Sequence, residues 1–112
     1  MRTLSQIELP VDDRLAVEAA ARLLKQRFPV EEVILFGSKA RGDAGARSDI
    51  DLLALTSRRM AWDERGLMSY DLVELGLDHG VLIELLIEEQ AAWESEAPVA
   101  IHRAIERDGV LL

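Results

Sequence analysis

Asp49 and Asp51, separated by Ile50, carry the first chemical signal in this 112-residue chain. On a strand they project to one face with Cα atoms roughly 6–7 Å apart, while Ile50 and Leu52 turn toward a core. Adjacent carboxylates repel, and a divalent cation between them removes the repulsion. Magnesium suits the pair, being a hard ion that takes one or two carboxylates together with water and substrate phosphates. Gly37-Ser38, directly after the apolar run Val33–Phe36, is separated from Asp49 by ten residues. A glycine there lets the backbone turn sharply and approach a ligand. Ser38 then opens a helical turn whose free N–H groups favour an anion. Lys39, Arg41 and Arg47 lie in the same loop and can offset phosphate charge. A phosphate cradle and a magnesium pair joined by one loop describe a nucleoside triphosphate site. The spacing is not that of a Walker A loop, which needs Gly-x4-Gly-Lys-Ser/Thr. Glu84 is a lone carboxylate within Val81–Ile87, costly to bury unless paired or metal-bound. Beside the Asp49–Asp51 strand it becomes a third acidic group, a metal ligand that helps activate an attacking hydroxyl. On a half-exposed strand it is only a surface residue.

The elements that must position these residues follow from periodicity. Residues 1–11 form an arm containing Pro10, and residues 12–112 a single domain. From Asp12 the pattern is helical, with Leu15, Ala19 and Leu23 at i+4 spacing and Ala16, Ala20, Leu24 and Phe28 beside them. Asp12 or Asp13 can cap that helix, and Pro29 stops it. Val33–Phe36 reads as a buried strand, and Asp49–Leu55 as a strand entering the core. A helix over Trp62–His79, with Leu67, Met68, Leu72 and Leu75 on its apolar side, ends at Gly80. Val81–Ile87 is the third strand, Pro98–Asp108 the last helix, and Val110–Leu112 a short edge strand. Strands alternating with helices predict an α/β or α+β layered fold.

Composition narrows the function classes. The chain has no cysteine and two histidines, so a disulfide framework or Cys-ligated zinc site is excluded. No apolar run approaches the roughly 20 residues of a membrane span, and the first eight residues lack a signal-like stretch. A soluble, cytoplasmic protein is expected. A net charge of −8 argues against direct nucleic-acid binding, which needs clustered Lys and Arg. That charge is uneven: residues 1–62 carry a net +1 and residues 63–112 a net −9. Glu88-Glu89 and Glu94-Ser95-Glu96 could steer a basic partner. Trp62, Trp93, Met68 and Tyr70 read as core or interface residues, and several exposed together would mark the partner surface.

Gly37-Ser38-Lys39-Ala40-Arg41-Gly42 and Ser48-Asp49-Ile50-Asp51-Leu52 resemble the signature of the DNA polymerase β-type nucleotidyltransferases. The likeness is closest to the minimal nucleotidyltransferase branch, patterned Gly-Ser, ten residues, Asp-x-Asp, and it spans residues 12–112. The resemblance implies an α+β fold: a mixed, mostly antiparallel sheet of three or four strands flanked by about four helices. It implies magnesium-dependent transfer of a nucleoside monophosphate, with two metal ions, ATP as substrate and pyrophosphate released. By that likeness Gly37 and Ser38 contact the triphosphate and Asp49 and Asp51 hold the metals. Arg41 either neutralises phosphate or braces the loop against a carboxylate. Glu84 matches the family's third carboxylate, often an Asp. The branch is commonly the antitoxin of a pair whose partner is a HEPN-domain ribonuclease toxin. Some members add AMP to a tyrosine of that toxin, and others act by binding. Aminoglycoside-like small acceptors are a further alternative. The short chain leads to the expectation that the acceptor is a surface of another protein, in a homo- or hetero-oligomer.

Overall fold

The computed structural model describes residues 1–43, 45, 49–95 and 99–112. Its centre is three strands, β2 (Val30–Phe36), β3 (Ile50–Thr56) and β4 (Ile83–Glu89). β2 and β3 run antiparallel with Phe36 opposite Asp51, whereas β3 and β4 run parallel with Asp51 opposite Glu84. The end of β2 and the starts of β3 and β4 therefore meet at one end of the sheet. Short strands β1 (Arg2–Thr3) and β5 (Val110–Leu111) complete the order β1-β5-β2-β3-β4.

Helices cover both faces. α1 (Val11–Arg27) and α3 (Trp62–Asp78) share one buried cluster with Val33, Leu35, Leu52, Ala54, Ile83 and Ile87. α4 (Gln90–Ser95) and α5 (Ala100–Asp108) bring Trp93 and Ile105 to Ile34, Leu53 and Leu55 on the opposite face. This alternation along β2 and β3 is the period of two expected of strands buried on both sides. α2 (Gly37–Arg41) is one short turn between β2 and the loop toward β3.

The α+β class stands, with corrections in detail. The described residues form five strands, and their pairings are split evenly between parallel and antiparallel. The extra strand is Arg2–Thr3, which has too few residues to show alternation and gains its partner only when β5 lies beside it. The stripe of α1 is rotated by about one residue: Ala16, Val17, Ala20, Ala21 and Leu24 are buried, while Leu15 is exposed. Leu67 on α3 is likewise exposed, and Met68, Leu72 and Gly76 face inward. Pro10 precedes α1, which puts Asp12 and Asp13 inside its first turn rather than at a capping position. α4 was not expected, because six residues are too few to display a helical period. No helix is long and apolar enough to cross a membrane among the described residues.

Candidate active site

Gly37 adopts φ +75°, the left-handed conformation that glycine takes without strain. A Cβ at this position would collide with the Asp51 carboxylate, whose Oδ2 fills the space instead. Two separate demands thus fix this glycine. The backbone must turn from β2 into α2, and it must let the carboxylate of the neighbouring strand lie against it. Ser38 follows half-buried, and its carbonyl accepts from the N–H groups of Gly42 (3.0 Å) and Asp43 (3.2 Å), closing the turn. Gly42 ends α2, again with positive φ.

Asp51 and Glu84 face each other across the β3–β4 register, on the face that carries Leu53 and Leu86. Their carboxyl groups lie within mutual influence, and each shifts the proton affinity of the other. Burial pushes the Asp51 pKa up, as does the Asp49 charge; Glu84 and the Arg41 charge pull it down. Glu84 is exposed and is raised chiefly by its Asp51 neighbour, then by the charges of Asp49 and Asp51. Asp49 stands just before β3, half-buried. The structure therefore brings Asp49, Asp51 and Glu84 together beside Gly37.

This donor set fits a hard divalent cation. Carboxylates whose negative neighbours raise their pKa are groups whose repulsion a divalent cation would relieve. Among the described residues, no three His, Cys, Asp or Glu side chains form a ready metal cage. Magnesium, which keeps water and substrate phosphates as ligands, does not require one.

The cations of the loop divide sharply. Arg41 Nε pairs with Asp43 Oδ2 at 3.2 Å near the surface, and its charge reaches Asp51. Lys39 departs from the expected phosphate contact. Its Nζ turns inward to Asp13 Oδ2 at 2.7 Å, and both side chains are buried. An ammonium in this pair is already neutralised, so its effect is to tie α2 to α1. Arg47 lies outside the described residues.

Two supporting residues escaped the sequence reading. Asp13 shares the i, i+3, i+4, i+7 stripe of Ala16, Val17 and Ala20, and a carboxylate on an apolar stripe signals a buried partner. Arg2 Nη2 donates to the carbonyls of Ala40 (2.8 Å) and Asp108, holding α2 to the end of α5. No local pattern around Arg2 announces that contact. His79 serves as the C-terminal cap of α3, while His102 stacks on Trp93 with ring centroids 3.8 Å apart. Neither approaches the carboxylates closely enough to appear among their influences.

Comparison with known proteins identifies the family and the fold. The family described as "Nucleotidyltransferase domain" matches residues 17–105. A Methanocaldococcus jannaschii protein, provisionally named a protein adenylyltransferase, is 28% identical over 109 residues, covering 91% of this chain and 99% of that one. A solved structure provisionally described as a minimal nucleotidyltransferase is 25% identical with a TM-score of 0.63, covering 88% of this chain and 91% of that one. A chain in the solved complex of a tri-AMPylated Shewanella oneidensis HEPN toxin with an MNT antitoxin has a TM-score of 0.57. It is 18% identical and covers 88% of this chain and 69% of that one, a likeness of fold.

Proposed function

The chain belongs to the nucleotidyltransferase domain family, and from that premise we propose that it transfers AMP from ATP to a hydroxyl, a tyrosine, of a partner HEPN toxin and so acts as its antitoxin. The observation that carries the reading is the meeting of Gly37, Asp49, Asp51 and Glu84 at one end of the sheet. The names of its relatives, which include a protein adenylyltransferase and an antitoxin bound to an AMPylated HEPN toxin, supply the acceptor class.

In this reading Gly37 and Ser38 receive the triphosphate at the start of α2, with Arg41 beside it. Asp49, Asp51 and Glu84 would hold magnesium, which when bound neutralises triphosphate charge and acidifies the acceptor hydroxyl. The acceptor oxygen bonds to the α-phosphorus as the bond to the bridging oxygen of the β-phosphate breaks, and pyrophosphate leaves with that electron pair. Glu84, the exposed member of the cluster, takes the hydroxyl proton on its carboxylate. Lys39 and Asp13 keep α2 in place behind the loop.

The test incubates the protein with each labelled nucleoside triphosphate, magnesium and its HEPN partner, then maps the modified residue by mass. Label from ATP alone on a tyrosine, lost in Asp49→Ala/Asp51→Ala, is expected. Undiminished labelling by the double variant overturns the reading. Absent labelling by the native protein, with toxicity still neutralised by the double variant, replaces it with neutralisation by binding.

A further inference from the structure

β4 is the last strand in the sheet order, and among the described residues nothing pairs with its outer edge. The Ile50 N–H donates to Leu82 O at 2.9 Å, which sets the phase of the parallel ladder. Backbone groups of Glu84 and Leu86 then point to β3, and those of Ile83, Leu85 and Ile87 point outward. One outward carbonyl, of Ile87, accepts from Arg65 Nη2 at 3.3 Å. Open strand edges are templates for pairing, and proteins commonly cover or blunt them.

A groove of about 520 Å³ runs beside this edge, lined by Trp62, Asp63, Arg65, Gly66, Leu85 and Ile87 among others. Trp62 is 89% exposed, although a large aromatic ring is costly to leave in water. Gly66 adds a second sign. Glycine inside a helix is unfavourable relative to Ala, and a Cβ at Gly66 would meet nothing within 4 Å. At Gly76 of the same helix a Cβ would strike Val81 O at 2.6 Å, so packing explains that glycine. Among the described residues no contact explains Gly66, and the space it leaves opens into the groove. The surrounding strand and helix supply Asp63, Glu84, Glu88 and Glu89 against the single cation Arg65.

We propose that an extended segment of a partner protein, apolar at alternate positions and flanked by Lys or Arg, pairs with the outer edge of β4. It seats one large side chain over Gly66 against Trp62. A second copy of this chain is a poorer occupant, because β4–β4 pairing would bring two sets of Glu84, Glu88 and Glu89 together on chains of net charge −8. Glu84 lies on the same strand, so the paired segment runs past the carboxylates and carries the acceptor hydroxyl to them. That last step rests on the transfer reading, whereas the pairing does not.

The probe is a dye-labelled octapeptide of alternating Val and Thr with one central Phe and Lys at both ends, followed by anisotropy and by amide hydrogen exchange. Saturable binding with slowed exchange at Leu85 and Ile87 is expected. Gly66→Arg, whose Cβ would meet nothing within 4 Å, projects a long side chain into the groove and should weaken binding by about tenfold or more. Its helical circular dichroism reports that the fold survives. Asp51→Asn, which disables the proposed transfer, should keep the peptide affinity. Peptide binding by a native chain that transfers no AMP would sink the transfer reading alone. The pairing is overturned by absent saturation, or by equal binding of an N-methylated or Glu-flanked peptide. It is also overturned by unchanged binding in folded Gly66→Arg, or by a dimer in sedimentation that Gly66→Arg dissolves.

Discussion

Lys39 and Arg41 stand two residues apart in the same five-residue helix and meet opposite environments. The Lys39 side chain is 5% exposed and paired with an Asp13 side chain that is 8% exposed. The Arg41 side chain is 44% exposed and its partner Asp43 63%. One motif thus holds an internal bolt and an external charge. In low dielectric an ion pair is unforgiving: removing one member strands the other without solvent. Near the surface, water replaces a lost partner, and the energy at stake is small. Lys39 therefore governs where α2 sits, and Arg41 governs the field at the carboxylates, where its charge opposes the effect of burial on Asp51.

Breaking the bolt should have the largest effect on stability. Lys39→Met leaves the Asp13 carboxylate buried alone and should destabilise the protein by about 3–5 kcal/mol in urea unfolding. The double variant Asp13→Leu/Lys39→Met removes both charges and should recover most of that loss. If its stability returns while the melting-temperature rise on adding ATP and magnesium does not, the pair positions α2 for nucleotide. If Lys39→Met melts like the native protein, the buried pair contributes no more than the exposed one, and the contrast collapses.

Arg41→Gln should change stability by no more than about 0.5 kcal/mol, as expected for an exposed pair. Its consequence belongs to the site. Asp51 loses a cation that lowers its pKa, and the triphosphate loses a positive neighbour. The melting-temperature rise with ATP and magnesium should shrink while the unliganded melting temperature stays put. An equal fall in both would make Arg41 a structural residue like Lys39.

The same contrast explains what could be read in the sequence. The strands beside Gly37, Asp49, Asp51 and Glu84 were legible because one apolar run stops at Gly37, a second starts after Asp51 and Glu84 interrupts a third. Their convergence follows once β2 turns back on β3 and β4 lies parallel to it. The Lys39–Asp13 pair joins residues 26 positions apart, so nothing local to Lys39 distinguishes it from Arg41. Only the phase of α1 betrays Asp13, and the reading of that phase was displaced by about one residue, toward Leu15 and away from Val17. Arg2 is less visible still, since its hydrogen bonds to Ala40 and Asp108 depend on β1 docking beside β5. Local chemistry is written locally, whereas the support behind it is written in contacts that exist only after folding.

A third ion pair marks the weak end of the comparison. Arg58 holds Glu64 through two hydrogen bonds, Nη1 to Oε1 at 3.0 Å and Nη2 to Oε2 at 2.7 Å. Glu64 Oε1 also accepts the Ala61 N–H at 2.9 Å, closing the start of α3. Its Arg58 partner and then that backbone bond lower the Glu64 pKa from 4.5 to about 2. A carboxyl with a depressed folded pKa binds its proton more tightly in the unfolded chain. Its contribution to stability is therefore complete above pH 4.5 and is lost as pH falls through about 2. Because the pair is exposed, Arg58→Gln should lower the melting temperature only slightly, and far less than Lys39→Met. The difference between native and variant melting temperatures should be steady above pH 4.5, shrink below it and vanish near pH 2. A difference independent of pH across that range would assign the effect to the Arg58 stem packing rather than to its charge.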